Sequence, residues 1–178
     1  MKGTSCLTNL LELFEGITSV VDRGEPVDVV YLDFQKAFDK VPHKRLLQKI
    51  KVHGVGGKVL AWIEDWLSNR KQRVGINGWF SGWQLVTSGV PQGSVLGPQL
   101  FTIYIDDLEE GTECRVTKIA DDTKMSGKAN CVEDAGSLQR DLDRLSEWAR
   151  IWQMEHNVGK CEVIHFGRNN LDGLLFKW

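Results

Sequence analysis

Arg115-Val116-Thr117-Lys118-Ile119-Ala120-Asp121-Asp122-Thr123-Lys124-Met125-Ser126 is the stretch whose reading decides the fold. Arg115 to Ala120 and Thr123 to Ser126 read as the arms of a β-hairpin, with Asp121 and Asp122 at its bend. Adjacent like charges repel and raise each other's pKa unless a cation neutralises them, so an acid pair closing an apolar strand suggests a divalent metal. The plainer alternative is a polar tip in water, because Asp is a common turn residue. Ala120-Asp121-Asp122-Thr123 alone favours that tip.

A similar anomaly lies upstream. Val27 to Phe34 (VDVVYLDF) is β-branched and aromatic, with polar interruptions only at Asp28 and Asp33, and reads as a core strand ending in an acid. Before it, Leu7, Leu10, Leu11, Phe14, Ile17 and Val21 recur at helical spacing after a cap at Thr4 or Ser5, predicting a helix over 5–22. After it come a short turn through Gln35 to Val41, a basic helix from Pro42 to about His53, and a helix from Lys58 to Asn69. Gln72 to Ile76 and Trp79 to Val86 flank Asn77-Gly78, a hairpin signal because both turn residues tolerate positive φ. Ser88 to Ser94 is a glycine-punctuated loop, and Val95 to Leu108 reads as a buried helix. At its far end Asp106, Asp107, Glu109 and Glu110 oppose the helix dipole. A long helix over Glu133 to Gln153 and a strand over Cys161 to Phe166 complete the order, which predicts an α+β fold with a sheet packed on helices.

Composition narrows the class. The 178 residues, 42% hydrophobic and 26% charged, suffice for one domain with a core and exclude a disordered chain. From Lys36 to Arg73 ten basic residues face Asp39, Glu64 and Asp65, a local charge of +7 in a chain of net −2, so the remainder carries −9. A phosphate-facing surface and a solvated helix face both account for such a run. Cys6, Cys114, Cys131 and Cys161 form no CxxC pair, and Cys161 with His165 is too little for zinc, so the cysteines read as reduced intracellular thiols. Glu12 and Glu15 interrupt the first apolar run, which excludes a signal peptide there, and no run reaches the length of a membrane span.

Neighbouring strands would bring Asp33, Asp121 and Asp122 to one sheet end. Three acids there can hold two Mg²⁺ ions, the arrangement that serves in-line phosphoryl displacement in polymerases and nucleases. A metal-dependent nuclease would use the same acids.

Three strings occur in order: Tyr31-Leu32-Asp33-Phe34-Gln35-Lys36-Ala37-Phe38-Asp39-Lys40-Val41, then Ser88-Gly89-Val90-Pro91-Gln92-Gly93-Ser94-Val95-Leu96-Gly97-Pro98, then Ala120-Asp121-Asp122-Thr123. On these the chain closely resembles reverse transcriptases of non-LTR (LINE-type, jockey- and chicken-repeat-like) retrotransposons, over nearly all of its length. The resemblance implies a right-hand polymerase palm with part of the fingers across residues 1–178. It makes Asp33 and Asp121 the principal metal ligands, Asp122 the third active-site carboxylate and the Phe34 carbonyl a backbone ligand, for two Mg²⁺ ions with Mn²⁺ as an alternative. Phe38 lies where the family places the steric gate against a ribose 2′-OH; an aromatic packed under the sheet is the other reading. Gln92 and Gly93 match the loop against the incoming nucleotide and template base. Lys160 stands where related polymerases place a lysine that protonates pyrophosphate, and is otherwise a solvent-exposed lysine. Asp39 is read as a cap for the basic helix. The basic Lys36 to Arg73 stretch would border the nucleic acid.

Ile119 and Gln99 depart from the family's usual Phe and Leu. The start near Lys2 implies that upstream fingers strands lie outside the chain, and the end at Trp178 precedes a thumb; no endonuclease segment is present. The expectation is therefore an RNA-directed DNA polymerase core within a retroelement polyprotein, acting on an RNA template, a DNA primer and dNTPs, without a membrane. Its alternative is an inactive or co-opted fragment with at most nucleic-acid binding. Localisation is expected to be intracellular, and nuclear through the family's target-primed mechanism.

Overall fold

A β-branched strand buried on both faces needs partners on both edges and cover on both sides, and Val27–Leu32 (β1, after helix α1 over Cys6–Val21) obtains all four. The structure, a computed structural model, describes residues 6–119 and 121–168, and the Cys6 side chain is not included. The chain forms two compact units, one of residues 1–35 with 108–178 and one of residues 36–107. The expected cap at Thr4 or Ser5 and residue Ala120 lie outside the described residues.

The second unit begins with a single helical turn, Ala37–Lys40 (α2), where the sequence suggested a plain turn. His43–Val52 (α3) and Gly57–Leu67 (α4) follow, close to expectation. The Asn77-Gly78 hairpin is present but reduced to two-residue rungs: Lys71–Gln72 (β2) pairs with Gln84–Leu85 (β5), and Gly75–Ile76 (β3) with Trp79–Phe80 (β4). Leu96–Tyr104 (α5) is shorter than predicted. Its end before Asp106 explains how those acids escape the helix dipole: Asp107 pairs with the buried Lys49 ammonium, and Asp106 lies 3.7 Å from His53. Leu46, Ile50, Ile63, Leu67, Leu100, Phe101 and Tyr104 are buried where α3 packs on α4 and α5.

The first unit holds a four-stranded antiparallel sheet of order β6-β7-β1-β8, built from Arg115–Ile119 (β6), Asp122–Lys128 (β7), β1 and Glu162–Phe166 (β8). Val27 and Val29 of β1 pack with Leu13 and Ile17 of α1 on one face. The long helix Val132–Trp152 (α6) packs on β7, with Leu138 against Gly127. Asp141 of α6 is fully buried and accepts hydrogen bonds from the backbone N–H groups of Glu113 (2.8 Å) and Cys114 (2.6 Å) and from Arg144 (2.6 Å). Burial works against its charge, but these donors outweigh it and hold the carboxyl below its ordinary value. The neighbouring Cys114 thiol is pushed up to about 12 by burial and by Asp141.

Candidate active site

In the sheet-bearing unit, antiparallel pairing of β1 with β7 ends at Leu32 opposite Thr123, and Ile119 of β6 pairs with Asp122. Asp33 is the next residue after β1 and Asp122 the first of β7, so the two acids stand at the same end of the sheet. Asp121 precedes Asp122 at the bend between β6 and β7, so all three acids belong to this end of the sheet.

The backbone beyond β1 is held by His156. Phe34 bridges it antiparallel, with the Gln35 N–H donating to the Glu155 carbonyl and the Asn157 N–H to the Asp33 carbonyl, both at 2.7 Å. In such a pair the polar groups of the central residue point away from the partner strand, so the Phe34 carbonyl is turned away from His156. The Phe34 ring is buried and stacks on His156, with centroids 4.9 Å apart. Burial lowers the pKa of His156.

Lys160 closes this group. The Asn157 carbonyl that follows the Asp33 contact accepts the Lys160 N–H at 2.8 Å, in a short 3-10 turn over Val158–Lys160. Lys160 Nζ lies 3.7 Å from Asp33 Oδ2, although the lysine side chain is 68% exposed. Lys160 is thus exposed, as one of its two sequence readings has it, and stands beside Asp33.

As placed, no three His, Cys, Asp or Glu side chains among the described residues converge tightly enough to grip a metal ion. The donor set still fits Mg²⁺ in kind, since three carboxylates and a carbonyl are hard oxygen ligands. The adjacent Cys161 thiol is raised by burial and by the Asp33 charge, against a hydrogen bond with the Asp33 backbone that lowers it.

The other unit gathers the remaining candidates. Its loop Ser88 to Ser94 is fastened to α2 and the residue after it: Gly89 N–H donates to the Val41 carbonyl, Val90 N–H to the Phe38 carbonyl and Ser88 Oγ to the Asp39 carbonyl, each at 2.8 Å. A Cβ on Gly89 would lie 2.6 Å from the Asp39 carbonyl oxygen, and φ is +85° there, so only glycine fits. Gln92 Nε2 donates to Asp39 Oδ1 at 2.9 Å. This corrects the reading of Asp39 as a helix cap: α3 is preceded by Pro42, with no side-chain cap. Phe38 is half-buried and stacks on Phe101 of α5, with ring centroids 4.6 Å apart. Gly93, at φ +78°, has open space beside it.

Two residues that no motif singled out hold the loop's root. His43 Nε2 (2.9 Å) and Arg70 (2.7 Å) both donate to the Gly89 carbonyl, and Arg70 also donates to the Leu67 carbonyl at 3.1 Å. Arg70 and Lys49 both counted toward the basic stretch, yet Arg70 is committed to backbone and Lys49 is buried. Part of that stretch is therefore structural.

Strand order, helix cover and acid-bearing hairpin put the chain among polymerase palms of mixed α+β architecture. It belongs to the reverse transcriptase family: the match to reverse transcriptase (RNA-dependent DNA polymerase) spans residues 3–173. Among curated relatives, the RNA-directed DNA polymerase from mobile element jockey of Drosophila funebris is 35% identical over 156 residues, 82% of this chain and 17% of that protein. The probable RNA-directed DNA polymerase from transposon X-element of Drosophila melanogaster is 31% identical over 170 residues, 92% of this chain and 19% of that protein. The chain thus spans less than a fifth of these relatives. A solved telomerase from Candida tropicalis, in complex with a TWJ fragment of telomeric RNA, matches 90% of this chain and 30% of its own with a TM-score of 0.63 at 12% identity, a likeness of fold alone. Among the described residues no helix is long and apolar enough to cross a membrane.

Proposed function

We propose that this chain is the catalytic core segment of an RNA-directed DNA polymerase of a non-LTR retrotransposon, comprising palm and part of the fingers. The observation that supports the proposal is the β1 to β7 pairing, which ends at Leu32 opposite Thr123 and so leaves Asp33, the residue after β1, and Asp122, the first of β7, at one end of the sheet. Asp33, Asp121, Asp122 and the Phe34 carbonyl would hold two Mg²⁺ ions, or Mn²⁺ in their place. Bound there, the ions would lower the pKa of a primer 3′-OH and stabilise charge on the leaving oxygen. Lys160, 3.7 Å from Asp33, offers a proton to departing pyrophosphate. Phe38 excludes a ribose hydroxyl by bulk, and Gln92 with Gly93 supports the incoming nucleotide, with Asp39 fixing the Gln92 amide. An RNA template, a DNA primer, dNTPs and the rest of the retroelement polyprotein are the partners this reading requires. Nuclear action, where a chromosomal end primes synthesis, belongs to the same proposal.

The test is primer extension on an RNA template with Mg²⁺ and dNTPs, comparing the chain with Asp121→Ala. Extension by the parent and none by the variant is expected. Folded protein that extends nothing would reject polymerase activity in this chain, and metal-dependent cutting of the template would favour a nuclease.

A further inference from the structure

The hairpin of β2 to β5 is unusual in what it leaves in water. Every residue from Lys71 to Leu85 is exposed, including Trp79 at 83%, Phe80 at 60% and Trp83 at 60%. The hairpin is nonetheless ordered locally. Asn77 and Gly78 take φ of 49° and 86° at its tip, and the Phe80 ring lies across Gly75, its cross-strand partner.

Arg73 organises one face of this ribbon. Its guanidinium carbon sits 3.9 Å from the Phe80 ring centroid and 4.6 Å from that of Trp83. Stacking uses the flat faces of a guanidinium and leaves its N–H donors pointing outward at the rim, the geometry that grips a phosphate. Trp79 pairs with Ile76 on the alternate face and offers an open π-surface.

Charge decides what such a surface takes. From Trp66 to Ile105 the sequence contains no acid, while the exposed Lys71 and Arg73 are basic. An apolar protein-docking patch has no need of an acid-free segment; a polyanion with flat, stackable bases is favoured by one.

We infer that the β2 to β5 hairpin is a platform that binds single-stranded RNA, with one base on Trp79 on one face of the ribbon and, on the other face, a phosphate on Arg73 and a base on the side of the Trp83 ring that Arg73 leaves open. The choice of RNA rests on the polymerase reading, in which the template is RNA. Bases already stacked in a duplex cannot reach these rings, so the platform selects unpaired segments.

The experiment is fluorescence anisotropy of a short labelled RNA titrated with the full 178-residue chain in EDTA, where no synthesis occurs. Trp79→Ala and Trp83→Ala should each weaken binding by about tenfold or more. Trp83→Phe should restore most of the affinity, and Arg73→Ala should reduce the slope of log affinity against log salt by about 1. All three positions are exposed, and unchanged circular dichroism will confirm that the variants fold. RNA affinity unmoved by both tryptophan substitutions would overturn the proposal. So would losses confined to single-stranded DNA, or self-association of the parent chain that the same substitutions relieve. Primer extension, measured separately, keeps the two readings apart. A chain that binds RNA this way but extends nothing sinks only the polymerase reading, whereas one that extends primers with RNA affinity indifferent to Trp79 and Trp83 sinks only the platform.

Discussion

Gln92 Nε2 donates to Asp39 Oδ1 at 2.9 Å, joining the second of the three family strings to the first through one side-chain hydrogen bond. Both residues are exposed or half-buried, so the bond contributes little to folding and its effect is to aim the Gln92 amide. Asp39→Ala should therefore raise KM for dNTP by about fivefold, the equivalent of about 1 kcal/mol, with an unchanged urea midpoint. An unaltered KM would show that the amide needs no guide.

Gly89 and Gly93 stand in the same loop with positive φ but different surroundings. Gly89→Ala meets the Asp39 backbone and should destabilise by about 2–4 kcal/mol in urea denaturation. Gly93→Ala meets nothing in the protein and should cost about 1 kcal/mol. Its larger effect should be on nucleotide binding, seen as a raised KM, because the added methyl stands where close backbone approach is required.

Phe38→Ala removes a half-buried ring stacked on Phe101, so some loss of stability, about 1–3 kcal/mol, accompanies any change in chemistry. The informative quantity is the ratio of dNTP to rNTP incorporation, which should fall in the variant. A ratio equal to that of the parent would remove Phe38 as the gate.

Lys160→Met tests proton donation. The exposed Lys160 to Asp33 pair contributes at most about 1 kcal/mol to stability, so thermal unfolding should scarcely move. The maximal rate should fall by about a hundredfold or more if the ammonium protonates the leaving group. A rate within a few-fold of the parent would leave Lys160 as a surface charge.

Asp141 gives a pH prediction. Its folded pKa is lowered, so the stabilisation it supplies is fully present above the ordinary Asp value of about 3.9 and is lost as pH falls through the folded value. Asp141→Asn should destabilise by about 2–3 kcal/mol at neutral pH. It should also flatten the acid limb of the stability curve below about pH 4, measured by urea titration across pH.

The sequence made the sheet legible because its signals are local. The β-branched run Val27 to Phe34 and the acids at one bend needed no tertiary information. Residues whose roles depend on distant partners were misread. Asp39 resembles a helix cap by position, and only the fold brings Gln92 to it. Lys49 counts as surface charge in any linear tally, yet burial against Asp107 takes it out of reach of a phosphate. His43 and Arg70 belong to no motif, and their common target is a backbone carbonyl, which carries no side-chain signature. The division after Gln35 was equally hidden, since it cuts through the first family string.

The order β6-β7-β1-β8 has a consequence in time. Both neighbours of β1 are encoded far downstream of it, so on the ribosome this apolar strand emerges with neither edge paired. At about 5–20 residues per second, synthesis takes roughly 5–20 seconds to travel from β1 to β7. During that interval the whole of residues 36–107 is made and free to fold, while Val29 and Val30 still lack their sheet. Nascent chains of this kind therefore pass through a window of aggregation risk that narrows when the Asp121-Asp122 hairpin covers one edge of β1 and closes only when β8, about forty residues later, covers the other.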